Sequence, residues 1–340
     1  MRRMKAIYLQ SPGDIKVEEV AYPQRGENEV LIKTRSLGIC GSDIGAYMGT
    51  NPLVSYPRII GHEAAGEVVA VPEGETELAI GDHVVIEPYV YCGECYPCQN
   101  DRTNCCENLT VRGVHIDGAM SEYFVHPRNL VHKVPKEIPW NLLAMVEPLT
   151  ISMHAVKRSR VKAGEYVAIT GSGPIGLLAA QYALTLNAIP IVVDPVEERL
   201  EFAKQLGVKY TVNPVKVDAI NEIKTITNGR MAEVIIEASG NAAAVRSSID
   251  YVSYAGRISL VGWPKSEISL PTALFTKKEL DIVGSRNSFH AFPESVKLVG
   301  EHKVDVAAVI TKTISFEDVP ALVSDIAAHP GNYLKVVALL

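Results

Sequence analysis

The sequence predicts an α/β protein: a doubly wound parallel-sheet domain, preceded by a unit built mainly of β-strands. Three observations predict it. The first part holds short Val- and Ile-rich segments bounded by Gly, Pro or charged turns. From about Val156 the pattern changes to strand, glycine turn and helix, repeated. The chain has 340 residues, 47% of them hydrophobic, which is enough for two cores.

The β-rich part contains the candidate strands Glu29–Thr34, Ala64–Val71 and His83–Pro88. In the alternating part, Tyr166–Thr170 is an apolar strand and Gly176–Leu186 a helix. Ile191–Asp194 and Glu197–Leu206 repeat the pair. Val234–Glu237, Ile258–Val261 and Leu280–Gly284 are the later strands. A helix near Pro293–Gly300 and a last strand, Lys335–Leu340, close the chain. The reading places domains at 1–155 and 156–288, with 289–340 returning to the first.

Cys92, Cys95, Cys98 and Cys106 spell C-x2-C-x2-C-x7-C on one polar loop. Four thiolates about 2.3 Å from a zinc ion need a chain that turns back every few residues. Gly93, Pro97 and Asn100 favour such turns. Two disulfides are the rival reading and fit poorly, because close neighbours rarely reach disulfide geometry. An all-cysteine site is closed, so this zinc is structural.

The strand Tyr166–Thr170 runs into Gly171-Ser172-Gly173-Pro174-Ile175-Gly176, which opens a helix. Gly171 suits the tight turn, Gly173 the approach of a pyrophosphate, and Gly176 close helix–sheet packing. The helix N-terminus offers N–H groups to phosphate. Asp194 follows 18 residues after Gly176, where a carboxylate accepts both ribose hydroxyls and repels a 2′-phosphate. That favours NAD over NADP. Asp194 is otherwise a strand-end or helix-cap carboxylate. Arg199 stacks near the adenine, faces water, or partly offsets Asp194.

Cys40, His62, Glu63 and Glu147 supply thiolate, imidazole and carboxylates, the ligand types of a catalytic zinc with an exchangeable position. Singly, each also reads as an ordinary core residue.

Taken in order, the segments from Gly38 to Asp43 and from Gly61 to Val69, the cysteine loop, the Glu147-Pro148 segment and Gly171–Gly176 resemble zinc-dependent medium-chain dehydrogenases. Tyr56–Glu63, Arg102–Gly118 and Val283–Asn287 are similar to the polyol and sugar-acid group, in particular enzymes oxidising L-galactonate, L-gulonate and L-idonate. The resemblance implies a GroES-like β domain, a Rossmann domain inserted in it, and an active site in the cleft between them. It implies two zinc ions per subunit, with NAD, in a homodimer or homotetramer. Cys40 and His62 then ligate the catalytic zinc, and Glu63 binds it or moves on and off it. Glu147 is a fourth ligand or a partner of zinc-bound water. Ser42 takes the substrate proton, and Asp43 orients His62. Ile151 packs behind the nicotinamide, with Ser285 and Arg286 close to it. The fourth structural ligand is Cys106 by family spacing, so Cys105 does not ligate.

Relatives often carry a proton-relay histidine where this chain has Gly45. The cofactor ribose and ordered water are candidates for that work, and His115 is a second possibility, or an exposed loop histidine. Arg286 or Arg58 holds a substrate carboxylate, or both are plain ion pairs. The substrate is a small sugar acid or polyol. L-Threonine or a neutral polyol is the competing substrate, and a dinucleotide-binding sensor or structural protein the competing class. A net charge of −6 without a basic block argues against nucleic acid. No apolar run reaches bilayer length, no signal peptide is evident, and reduced metal-binding cysteines fit the cytoplasm.

Overall fold

The structure, a computed structural model, describes residues 2–340. One compact unit comprises the chain up to Glu147 with Phe292–Glu301 and Val306–Leu340; the other comprises Pro148–Ala291 and His302–Asp305.

The first unit is organised around the strand Glu29–Ile39. It lies in a seven-stranded sheet, in the order Val131–Val134, His83–Ile86, Glu63–Ala70, Glu29–Ile39, Lys335–Leu339, Ile310–Ser315. Tyr123–Pro127 also pairs with it, along Glu29 to Lys33, while Lys335–Leu339 takes Ser36 to Ile39. The strand is therefore covered along most of its length, which is why its far end, Ser36 to Ile39, is buried without a break. The register against Glu63–Ala70 slips between Thr34 and Ser36. Gly66 permits that irregularity: a Cβ there would press on Ile32 Cγ2 at 2.6 Å and on the Lys33 backbone. Ile7, Leu9, Ile32, Leu37, Ile60 and Met120 are fully buried. Each contributes about 1.5–3 kcal/mol of burial.

A buried polar pair sits in this unit without being legible in the sequence. Arg112 donates from Nε to His126 Nδ1 at 3.0 Å, and from its other nitrogens to the carbonyls of Asp117 and Val125. Arginine has no acceptor, so His126 is neutral at Nδ1 and its Nε2–H meets Glu87 O at 2.9 Å. Arg112 thereby pins the loop after Thr110–Val111, whose Gly113 backs onto the Gly61 backbone.

The second unit is a six-stranded parallel sheet. Its order is Tyr210–Val212, Ile189–Val193, Tyr166–Thr170, Ala232–Glu237, Val252–Leu260, Asp281–Gly284. The first strand in sequence, Tyr166–Thr170, lies between the second and the fourth. That is the topological switch point at which such sheets take ligands. The helix Pro174–Thr185 follows it directly. Val252–Leu260 starts well before the expected Ile258, because Ala255, at φ 53°, interrupts the apolar pattern without ending the pairing. Among the described residues no helix is long and apolar enough to cross a membrane.

Burial, and then Arg112, hold the His126 imidazole well below the usual histidine value of 6.5. The unfolded chain thus gains a proton near pH 6.5 that the folded chain refuses. This contribution is complete above that pH and is lost as pH falls below it. Replacing His126 by Asn should reduce the fall in stability between pH 6.5 and 5, by up to about 1.4 kcal/mol per pH unit. Urea melts of both proteins across that range measure the difference in slope.

Candidate functional site

Three donor atoms, from Cys40, His62 and Glu63, lie within 4.8 Å of one another in the first unit. The sheet explains the convergence. Cys40 follows the end of Glu29–Ile39, and Glu63 opens the neighbouring strand, opposite Gly38. His62 and Glu63 are buried and Cys40 half-buried. A thiolate, an imidazole and a carboxylate fit zinc with a position to spare. The electrostatics agree. Burial pushes the His62 imidazole down, yet Cys40 and then Asp43 lift it well above its ordinary value. The surroundings therefore favour a cation.

Asp43 acts differently from the expectation that it orients His62. Its Oδ1 is 3.9 Å from His62 Nδ1, too far for a hydrogen bond. Its two oxygens instead accept the N–H groups of Cys40 at 2.9 Å and Gly61 at 3.2 Å. It ties together the two loops that carry Cys40 and His62. Burial raises its pKa, against the pull of His62.

Glu147 stands outside the close donor set. Its carboxylate accepts the hydroxyl of Tyr89, and both side chains are buried. Burial is the main cause that pushes Glu147 up to about 7; His62 opposes it and Glu63 adds to it. Ser42 begins the helix Gly41–Tyr47 with its Oγ buried and unpartnered. Lys335, absent from the sequence reading, donates to Glu63 from the C-terminal strand. Burial lowers its pKa, but Glu63 and Cys40 outweigh burial and the amine stays an ammonium. No local pattern marks Lys335 or Tyr89; strand pairing brings Lys335 to Glu63, and a strand-to-helix contact brings Tyr89 to Glu147.

Other candidates separate. Arg58 contacts Asp117 at 3.3 Å and Ser55 Oγ at 2.6 Å, the ion-pair reading of that residue. His115 is half-buried rather than exposed, and its Nδ1 accepts the Val111 N–H at 3.0 Å.

The cysteine loop gathers Cys92, Cys95, Cys98 and Cys106 within 4.8 Å. Sulfur separations include 3.4 Å for Cys95–Cys98 and 3.5 Å for Cys92–Cys106. A zinc tetrahedron with bonds of about 2.3 Å spaces its corners at roughly 3.8 Å. All six cysteines are free thiols, which removes the disulfide reading. The N–H groups of Glu94 and Cys95 pull Cys92 down to about 6, so the loop offers a thiolate at neutral pH. Cys105 stands outside the four.

In the second unit Gly171 takes φ 96°, and a Cβ there would meet Ser239 at 2.9 Å. Nothing lies within 4 Å of a Cβ built at Gly173, so that face is open. A Cβ at Gly176 would collide with Gly171 O, which sets the helix close to the strand. Pro174 and Ile175 form its first turn. Asp194 is 4% exposed and accepts Ser172 N–H at 2.8 Å and Val196 N–H at 2.9 Å. It braces the glycine turn, and a carboxylate has further lone pairs for ribose. Arg199 sits half-buried on Glu197–Gln205, and Ile151 half-buried on Val146–Arg158. Ser285 donates its N–H to Leu260 O at 2.9 Å, just before Arg286.

Two substitutions separate the metal centres. Cys40→Ala should remove one zinc per chain, and Cys95→Ser the other. The second should cost thermal stability more than turnover, since metal binding to a closed site is folding energy. Elemental analysis and melting curves of both variants check this.

Residues 26–136 match the alcohol dehydrogenase GroES-like domain, and residues 174–301 match the zinc-binding dehydrogenase family. The chain is 52% identical to an uncharacterized zinc-type alcohol dehydrogenase-like protein of Haemophilus influenzae, over 99% of both chains. It is 35% identical to L-galactonate-5-dehydrogenase of Escherichia coli, over 93% of each. An alcohol dehydrogenase of Escherichia coli CFT073, solved with NADH, superposes with a TM-score of 0.93 at 32% identity, over 99% of each chain. The two-unit fold is that of a GroES-like domain with a Rossmann domain, and the chain belongs to the zinc-dependent medium-chain alcohol and polyol dehydrogenases.

Proposed function

We propose that the enzyme oxidises a secondary alcohol of a small sugar acid to the ketone with NAD⁺, and that L-galactonate or L-gulonate, oxidised at C5, is the substrate. The observation that carries this is the buried Cys40–His62–Glu63 donor set with the unpartnered Ser42 Oγ. Its likeness to L-galactonate-5-dehydrogenase over most of the chain supports the substrate class.

When bound, zinc supplies a Lewis acid for the alcohol oxygen and the nicotinamide a hydride acceptor. Cys40, His62 and Glu63 hold the metal, while Asp43 keeps their loops in register. Ser42 Oγ would accept the hydroxyl proton of the substrate while its own proton passes on to the cofactor ribose or ordered water. Glu147, fixed by Tyr89 and near enough to His62 and Glu63 to feel their charges, would serve as a partner for water or metal. Asp194 binds the adenosine ribose, Gly171 to Gly176 receive the diphosphate, and Ile151 and Ser285 line the nicotinamide. Because the chain carries a net charge of −6, an anionic substrate needs a local cation. Arg286, next to Ser285 in the segment similar to the sugar-acid dehydrogenases, is the residue assigned to the carboxylate. Two zinc ions per subunit and a homodimer or homotetramer complete the proposal.

The substrate is tested by kcat/KM with NAD⁺ for L-galactonate, L-gulonate, L-idonate, sorbitol, galactitol and L-threonine. A sugar acid should exceed its uncharged polyol of equal length by at least about tenfold, the worth of one charge-assisted pair. Equal values would remove the carboxylate role of Arg286. Asp194→Ala should raise KM for NAD⁺ by about tenfold or more and narrow the preference over NADP⁺. Paired cofactor titrations measure both effects.

A further inference from the structure

Lys335 is 4% exposed, an unusual burial for lysine. Its register explains its place. Val336 pairs with Ile39, which brings Lys335 beside Cys40. On the other side of the same strand, Glu63 pairs with Gly38. Three adjacent strands thus deliver an ammonium, a thiol and a carboxylate to one spot.

Gly38 is what lets them meet. A Cβ at that position would collide with Glu63 Oε2 and stand 3.0 Å from Glu63 Cβ and Cδ. Without it, the Glu63 side chain lies across the strand and reaches Lys335. Lys335 Nζ donates to Oε1 and sits beside Oε2, which is buried and accepts no hydrogen bond. A Glu63 oxygen also lies within 4.8 Å of the Cys40 and His62 donors. One carboxylate therefore faces two cation positions at once.

We infer that Lys335 is a positioning residue that shares the Glu63 carboxylate with the catalytic metal across the gap at Gly38, and so keeps that metal loosely held and exchangeable. The inference rests on the assignment of Cys40, His62 and Glu63 to the catalytic zinc. Two effects act in the same direction. A carboxylate that shares its charge with an ammonium donates less to zinc. The buried ammonium also repels the divalent ion directly, in surroundings that screen poorly. Partners behind metal ligands commonly alter affinity 10–100-fold. Here the partner is a cation, so its loss should tighten the site.

The test follows release of zinc from the holoenzyme into excess chelator, for the ion that Cys40→Ala lacks. Lys335→Met should release it about tenfold more slowly. Lys335→Arg keeps the charge and grips both carboxylate oxygens, so release should be faster than in the wild type. Wild-type or faster release from the Met variant overturns the inference. If the Met variant does not fold, the Arg variant decides alone: unchanged or slower release overturns it. Retention of both zinc ions by Cys40→Ala would instead overturn the metal assignment itself.

Discussion

One buried carboxylate holds the first unit's chemistry in place. Asp43 spans the main chain before the helix Gly41–Tyr47 and the main chain before His62. Hydrogen bonds from N–H to an ionised carboxylate are worth about 1.5–3 kcal/mol each. Both of Asp43's go to backbone rather than to a side chain, so they fix loop positions and leave His62 free to face its ligand. The ladder between the two strands ends at Gly38 and Glu63, just short of Cys40 and His62. Asp43 extends the tie beyond the end of that ladder.

Around Asp43 the chain assembles groups that burial would otherwise forbid. Glu63, Glu147, Lys335 and Tyr89 are nearly or fully enclosed. Each has a named partner from a separate element: Glu63 and Lys335 sit on two strands, Tyr89 on a third, and Glu147 on the helix Val146–Arg158. Such a cluster is high-stakes, because a half-satisfied network costs more than an apolar core. The second unit uses the same device with fewer charges. Asp194 accepts two backbone N–H groups at the glycine turn. Glu237, wholly buried, accepts those of Ser239 and Gly240 at the next strand end. Carboxylates at the carboxyl ends of the strands thus shape the rim of the switch point.

Much of this was legible because the motifs are local. The cysteine loop and the turn from Gly171 to Gly176 each declare their chemistry within a few residues, and periodicity marked the alternating strands and helices. Cys40, His62 and Glu63 needed the conjunction of several motifs, since any one of them reads as core. What escaped is what tertiary packing decides. Lys335 begins an apolar C-terminal strand, and nothing nearby announces a charge partner almost the whole chain away. Tyr89 follows a proline in a short segment that gives no sign of Glu147. Asp43 was placed beside His62, and the two hydrogen bonds it accepts from backbone N–H groups went unread, because sequence shows which residue is near a ligand but not which atom it bonds.

The strand Lys335–Leu339 fills an interior slot of its sheet, between Glu29–Ile39 and the edge strand Ile310–Ser315. During synthesis the first unit must therefore wait, with that slot open, until residues up to Leu339 have left the ribosome. Pro148–Ala291, roughly 140 residues, has its sheet strands in one continuous stretch and can condense in the meantime. Closing a long flexible loop costs entropy that grows with its length. A middle portion that is already compact shortens the loop that the last strand must close. The exposed edge of the waiting sheet, with unpaired backbone along Ser36 to Ile39, is the stage at which the newborn chain is most open to sticking to its neighbours.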